Sequence, residues 1–359
     1  MVQITSSRLA NRGHYCPVSA RDGDGMPRFN PEFFDQIFYL YPSVEAAQRG
    51  EAAGGTGVFV SVPVPNQSDR FVVYACSNKH VVGASGCSVL RVNRIDGTSD
   101  VADGDPSMWA YDAHNDLAVT LVGVNVSVHR IKCLSLDAFV TRDEARDPSG
   151  PVGVGQNVFM IGRFINHDGK LINIPSVRFG HISMMPMSIR HPSGYDQESF
   201  AVEMLSRPGF SGSPVWAYQS PFDVYIGGEP NAKHQAHSNA MRFIGLNWGF
   251  VTDPAEVKEE IVAAQHTAGV STQKVIRYVS QNTGMNGVVP AWHLRTLLER
   301  KDVVEQRTKM VAEEDAKARI LSSGTALASA PPAKDANPQH REDFTRLVGA
   351  AARKQKQAD

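Results

Sequence analysis

In the stretch "RPGFSGSPVW" (Arg207–Trp216), Ser211 lies within a run of glycine, phenylalanine and proline just before an apolar strand. Such a stretch is either a tight turn or the presentation of a hydroxyl where backbone amides face a reacting carbonyl. Hydrolysis by serine needs three parts: an exposed hydroxyl, an imidazole to take its proton, and a buried carboxylate to hold the imidazole in the right tautomer. The chain offers one candidate for each. His80 follows an apolar strand in "FVVYACSNKHVV", where a loop can aim its ring across a cleft, and Asp116 stands at the mouth of the strand in "HNDLAVTLV". Ser213 is a rival nucleophile, but its place before Pro214 suits the start of a strand. His114 is too near Asp116 to reach across a cleft, and Asp112 faces no apolar run. The plainer readings, a structural turn serine and an ordinary loop histidine, stand beside these.

Something must hold three such distant residues together. Short apolar runs rich in Val, Phe, Ile and Tyr recur from "GVFVSVPV" through "RFVVYAC", "DLAVTLVGV", "QNVFMIGRF", "AVEML" and "PVWAY" to "RFIGLNWGFV", each bounded by Gly, Pro, Asn or Asp. These are strand signals without the rhythm of strand and long helix, so the expectation is an all-β fold of barrels or a sandwich. Helical spacing is expected over 254–265 and again over 289–321, where Pro290 suits a helix start. Between Glu299 and Ile320 acidic and basic residues are equal in number, as on a solvated or docking helix. Three regions follow: an N-terminal arm over 1–32, the main domain over 33–298, and a charged helix with a flexible Ala/Ser/Pro-rich tail over 299–359.

Composition narrows the partners. With 36 Lys+Arg against 37 Asp+Glu the net charge is -1, which argues against nucleic acid or an anionic membrane as partner. No apolar run approaches a membrane span, and "MVQITSSRLANRGHYC" lacks the apolar core of a secretory signal. Cys16, Cys76, Cys87 and Cys133 are too scattered for a disulfide framework and contain no CxxC pair; free thiols in a cytoplasm are expected. His234 and His237, three apart in "KHQAHSNA", have no third ligand nearby and read as a polar loop, so no metal and no cofactor is expected.

His80 precedes Asp116 by 36 residues and Asp116 precedes Ser211 by 95, the His–Asp–Ser order of the chymotrypsin type. From Phe33 to Leu298 the chain resembles the trypsin-like serine peptidases, and among them the intracellular bacterial domains. The likeness rests on "GGTGVFVSV", "SNKHVV", "NDLAV", "GQNVFMIGRF", "RPGFSGSPVW" and "IGLNWG", in the family's order. It implies two antiparallel six-stranded β-barrels with C-terminal helices. His80 would be the general base, Asp116 its orienting carboxylate and Ser211 the nucleophile, with the amides of Gly209 and Ser211 as oxyanion hole. Asn247, Trp248 and Gly249 would pair with an extended peptide, and Leu205 would form the pocket floor, favouring a small or apolar residue before the scissile bond. Phe210 stands where members activated by cleavage carry an acid, which implies no activation by that ion pair.

The expected function is a serine endopeptidase of the bacterial cytoplasm, acting on protein or peptide through an acyl-enzyme. The charged helix and tail would dock a regulatory protein. The alternative is a catalytically silent member of the fold that binds peptides or scaffolds a complex.

Overall fold

A computed structural model describes residues 30–65, 67–164, 169–218, 225–226, 229–230, 241–257 and 277–327. The arm before residue 30, Cys16, the His234/His237 pair and the tail beyond residue 327 lie outside the described residues.

The fold is mostly β. The first half contains β1 (Ile37–Tyr41), β2 (Gly55–Val64), β3 (Gln67–Ser77), β4 (Val89–Asn93), β5 (Ser99–Ala102), β6 (Ala110–Tyr111), β7 (Ala118–Val122) and β8 (Leu134–Ser135). They form an eight-stranded sheet in the order β5-β4-β1-β2-β3-β7-β6, with β8 parallel to β2. Phe38, Leu40, Phe59, Val73, Ala75, Leu90, Val92 and Ala118, from five of these strands, meet in one buried cluster. A sheet whose strands share one cluster must curl over it, as right-handed twist encourages. β-branched and aromatic residues dominate these strands because they fill a pleated, buried surface well.

The second half contains β9 (Asn157–Gly162), β10 (Ser176–Arg190), β11 (Asp196–Glu203), β12 (Pro214–Ala217), a small hairpin of β13 (Tyr225–Ile226) and β14 (Glu229–Pro230), β15 (Arg242–Val257) and β16 (Arg277–Pro290). Six of them close into a barrel in the order β10-β11-β16-β15-β12-β9. Its core includes Val158, Met160, Phe200, Val202, Phe210, Val215 and Ile244. The expected double architecture is therefore present, with six strands closing the second body. The hydrogen-bonded path of the first runs through more strands and ends on the edges β5 and β6.

Polar bonds fasten the halves together. Buried Arg91 on β4 donates from Nε to Asn173 Oδ1 at 2.9 Å and lies 4.8 Å from the Tyr41 ring, while Asn93 and Asn173 exchange two 2.8 Å bonds. After β16 the helix Ala291–Leu298 buries Ala291, Leu294, Leu297 and Leu298, one stripe at helical spacing. A second helix, Lys301–Leu327, follows. The described residues divide into two units, with the boundary after Thr308.

One helix expectation fails. Residues 254–257 extend β15, with Pro254 opposite Ser280 and Val257 opposite Arg277; residues 258–265 lie outside the described residues. Pairing with β16 overrides a helical pattern that local propensity only weakly supports. Among the described residues, no helix is long and apolar enough to cross a membrane. Cys76 and Cys87 are free thiols, both buried. Burial raises the Cys76 thiol well above its ordinary value, as suits an inert core cysteine.

Candidate active site

His80 opens a short helical turn, His80–Ala84, just beyond the end of β3. Val81 and Val82 bury themselves beneath it and anchor the turn, leaving the imidazole half-buried at the surface. Asp116 lies two residues before β7, the neighbour of β3, so strand pairing brings the two side chains to one sheet end. His80 Nδ1 lies 2.6 Å from Asp116 Oδ2, and the His80 backbone amide donates to Oδ1 at 2.8 Å. An ionised carboxylate can only accept, so Nδ1 carries a proton, and in the neutral ring Nε2 then presents a lone pair.

Asp116 is 1 % exposed. Its backbone is also held: the amide donates to Gln197 Oε1 at 2.9 Å, and the carbonyl accepts from Asn78 Nδ2 at 2.9 Å. Burial alone would raise its carboxyl pKa. Hydrogen bonds from His191 and His80, the charge on His80 and the His80 amide outweigh burial and bring it down to about 2.

His191 is a part of this site that sequence reasoning did not find. It belongs to the turn between β10 and β11, closed by His191 N to Tyr195 O at 2.8 Å. Its ring stacks on Tyr195 at 4.7 Å and packs against Trp248 at 4.8 Å and His80 at 5.9 Å. His191 Nε2 reaches to 3.4 Å from Asp116 Oδ2. Burial, followed by the carboxylates of Asp116 and Asp112, raises the neighbouring Tyr195 phenol pKa.

His80, Asp116 and His191 offer three ligand atoms within 4.8 Å of one another, the composition of a metal triad. The hydrogen bonds favour another use. His191 Nδ1 accepts from Ser193 N at 3.1 Å, which places the ring proton on Nε2. A metal on Nε2 would need that proton moved to Nδ1, against the Ser193 N–H. His80 Nδ1 is likewise committed to the carboxylate.

Ser211 sits in the turn before β12. Gly209 has φ +103°, in the left-handed region that favours glycine, and a Cβ there would stand 3.0 Å from Arg163 O. Gly212 is more constrained, with φ +83° and Thr56 O only 2.0 Å from where a Cβ would lie. Phe210, between them, is fully buried in the barrel core and anchors the turn with an apolar ring where an ion pair would need a carboxylate. Thr56, at the start of β2, is bound to this turn on several sides. Its amide donates to Ser211 O at 2.8 Å, its hydroxyl donates to Gly209 O at 2.8 Å, and that hydroxyl accepts from Arg163 N at 3.0 Å. Its carbonyl accepts from Ser77 Oγ, at the end of the strand that leads to His80, at 2.7 Å.

The structure thus brings the serine turn, Thr56, β3 and the His80 turn together. Among the described residues, the amides of Gly209 and Ser211 donate to no protein acceptor. The Ser211 hydroxyl donates to Trp248 O at 3.2 Å, and no hydrogen bond joins it to His80. The rivals have other surroundings. Ser213 is buried, with its hydroxyl unpartnered. Asp112 Oδ1 caps its own loop by accepting from the amides of His114 and Asn115.

Of the expected peptide-pairing residues, Asn247 is already engaged in the serine turn. Its amide donates to Ser213 O, its carbonyl accepts from Gly212 N, and its side chain donates to Phe210 O. Trp248 turns its ring inward and donates from Nε1 to Ser199 Oγ at 2.9 Å. Gly249 pairs with Gly287 on β16, while the β12 pairing on the opposite edge stops at Leu246. Leu205 is 58 % exposed and lines a shallow groove of about 420 Å³ with Phe179, His181, Met204 and Tyr218. It stands at the surface, where it can line a groove but does not floor an enclosed pocket.

No protein-family model matches the chain, and no curated protein matches it. Among solved structures, the chain is similar to the MamO protease domain of Magnetospirillum magneticum, with 14 % identity and a TM-score of 0.41 over 73 % of this chain and 95 % of that one. It is similar to the Rv3671c protease in its inactive form, with 15 % identity and a TM-score of 0.39 over 75 % and 92 %. The active form of that protease, from M. tuberculosis, gives 15 % and 0.37 over 75 % and 83 %.

Proposed function

We propose that this protein is a serine endopeptidase of the trypsin-like type, with His80, Asp116 and Ser211 as its triad. The observation that carries the reading is the 2.6 Å approach of His80 Nδ1 to a buried, ionised Asp116, which leaves Nε2 of the neutral ring as the base. In this mechanism Ser211 Oγ rotates away from Trp248 O and attacks the substrate carbonyl while His80 Nε2 takes its proton. The oxyanion is held by the amides of Gly209 and Ser211, both without an internal acceptor. His80 returns the proton to the leaving amine as the C–N bond breaks, and water hydrolyses the acyl-serine by the same route in reverse roles. The substrate is an extended peptide laid along the edge of β15 at Trp248 and Gly249, which β12 leaves uncovered. No cofactor takes part in these steps. The setting is a bacterial cytoplasm, consistent with buried free thiols, and the charged segment after Leu298 serves as the docking element for a regulatory protein.

One observation favours a second reading, a silent peptide-binding or scaffolding protein: the Ser211 hydroxyl bonds Trp248 O and not His80. A fluorophosphonate probe separates the two. Labelling of the native chain, lost in a folded Ser211→Ala variant, is the expected result. A folded native chain that takes up no probe overturns the enzyme reading.

A further inference from the structure

We infer that His191 is a positioning residue for the proposed hydrolysis, a second imidazole whose Nε2–H holds the Asp116 carboxylate while His80 works; this role rests on the reading above. Two backbone bonds close the turn His191–Tyr195, His191 N to Tyr195 O at 2.8 Å and Gly194 N to His191 O at 2.9 Å, and a third bond fixes the ring, Ser193 N to His191 Nδ1 at 3.1 Å. The last of these sets the tautomer, because a ring nitrogen that accepts an amide proton cannot also carry one. Nε2 must then be the donor. It is buried, has no regular hydrogen-bond partner among the described residues, and points at Asp116 Oδ2 from 3.4 Å. A buried N–H without an acceptor is costly, and an ionised oxygen is the acceptor that relieves the cost most.

Oδ2 therefore faces two imidazole donors, His80 at 2.6 Å and His191 at 3.4 Å, while Oδ1 takes the His80 amide. The chemical consequence concerns the moment when His80 becomes doubly protonated. A carboxylate held by one imidazole alone could drift toward that proton and take it. A second, neutral donor on the same oxygen keeps the carboxylate in place and lowers its appetite for the proton, so the positive charge stays on His80. His191 supplies this from a different sheet than His80 and Asp116, which also locks the β10–β11 turn against the Trp248 wall of the cleft. A ring present only to fill space would need no set tautomer.

The test uses the full chain. His191→Phe keeps a ring between Tyr195 and Trp248 but removes the donor; His191→Gln keeps an N–H donor. On a peptide ester, His191→Phe should lose kcat on the order of 10–100-fold with KM changed less than about twofold, and His191→Gln should recover most of it. Nitrogen-15 NMR of the native chain should show the His191 proton on Nε2, and the His80 Nδ1 proton resonance should move in His191→Phe. A proton on His191 Nδ1, or a folded His191→Phe with native kcat and an unmoved His80 resonance, overturns the inference. Should the chain have no hydrolytic activity, the NMR measurements still decide whether His191 Nε2–H donates to Asp116. Should His191→Phe not fold, the native tautomer and the Gln variant decide it.

Discussion

On the side of the first sheet, His80 and Asp116 are joined at 2.6 Å, the carboxylate is out of water, and a backbone amide fixes its second oxygen. On the side of the barrel, Ser211 has a rigid backbone but a hydroxyl turned toward Trp248 O at 3.2 Å. The contrast is one of completion. His80 and Asp116 are already paired in the free chain, because burying a carboxylate without its donors would cost too much. The Ser211 hydroxyl can rest elsewhere, since a serine side chain turns about one bond between staggered wells. In the proposed reaction the Ser211 hydroxyl must leave Trp248 O, while Thr56 holds the backbone of its turn.

Perturbing each side should expose that asymmetry. Asp116→Asn attacks the finished side and should cost the most: an amide keeps the shape but favours the wrong His80 tautomer, lowering kcat by about 10⁴. Steady-state hydrolysis of a peptide substrate measures it, and a loss under tenfold would show the pair to be structural. Gly209→Ala attacks the poised side. Its φ of +103° disfavours alanine, so the amide should tilt from the oxyanion and kcat should fall by about 10²–10³, with KM little changed. The smallest effect concerns stability alone. The folded Asp116 carboxyl titrates at about 2 against an ordinary 3.8, so its contribution is full above pH 4 and is lost as pH falls through 2. Unfolding free energies from denaturant titration should thus decline more steeply below pH 4 for the native chain than for a folded Asp116→Asn variant, by about 2 kcal/mol at the acid end.

Much of this was legible in the residues. Alternating apolar runs such as "GVFVSVPV" and "RFIGLNWGFV" became β2 and the start of β15, because valine, isoleucine and aromatic side chains at that spacing fit only a buried sheet. His80 and Asp116 could be paired from their places at the ends of adjacent strands, a local signal. His191 could not. It stands in "RHPSGYD" with no spacing relation to Asp116, and only the barrel's closure and the packing of β11 against the first sheet bring it there. Gln197, which fixes the Asp116 backbone, and Thr56, which braces the serine turn, are concealed for the same reason. Asn247 illustrates a subtler gap: its place in "LNWG" suggests a substrate contact, but its backbone amide, its carbonyl and its side-chain Nδ2 bind the serine turn. The segment "PAEV" looked helical because strand pairing over a long antiparallel arm leaves no trace in a four-residue pattern.

Thr56 lies on one sheet yet its amide, hydroxyl and carbonyl together reach Ser211, Gly209, Arg163 and Ser77. Among the described residues, the hydrogen bonds from the Ser211 turn to the opposite sheet are consequently those of Thr56. A change at Thr56 would therefore loosen the carbonyls of Gly209 and Ser211 without altering any residue of the proposed triad.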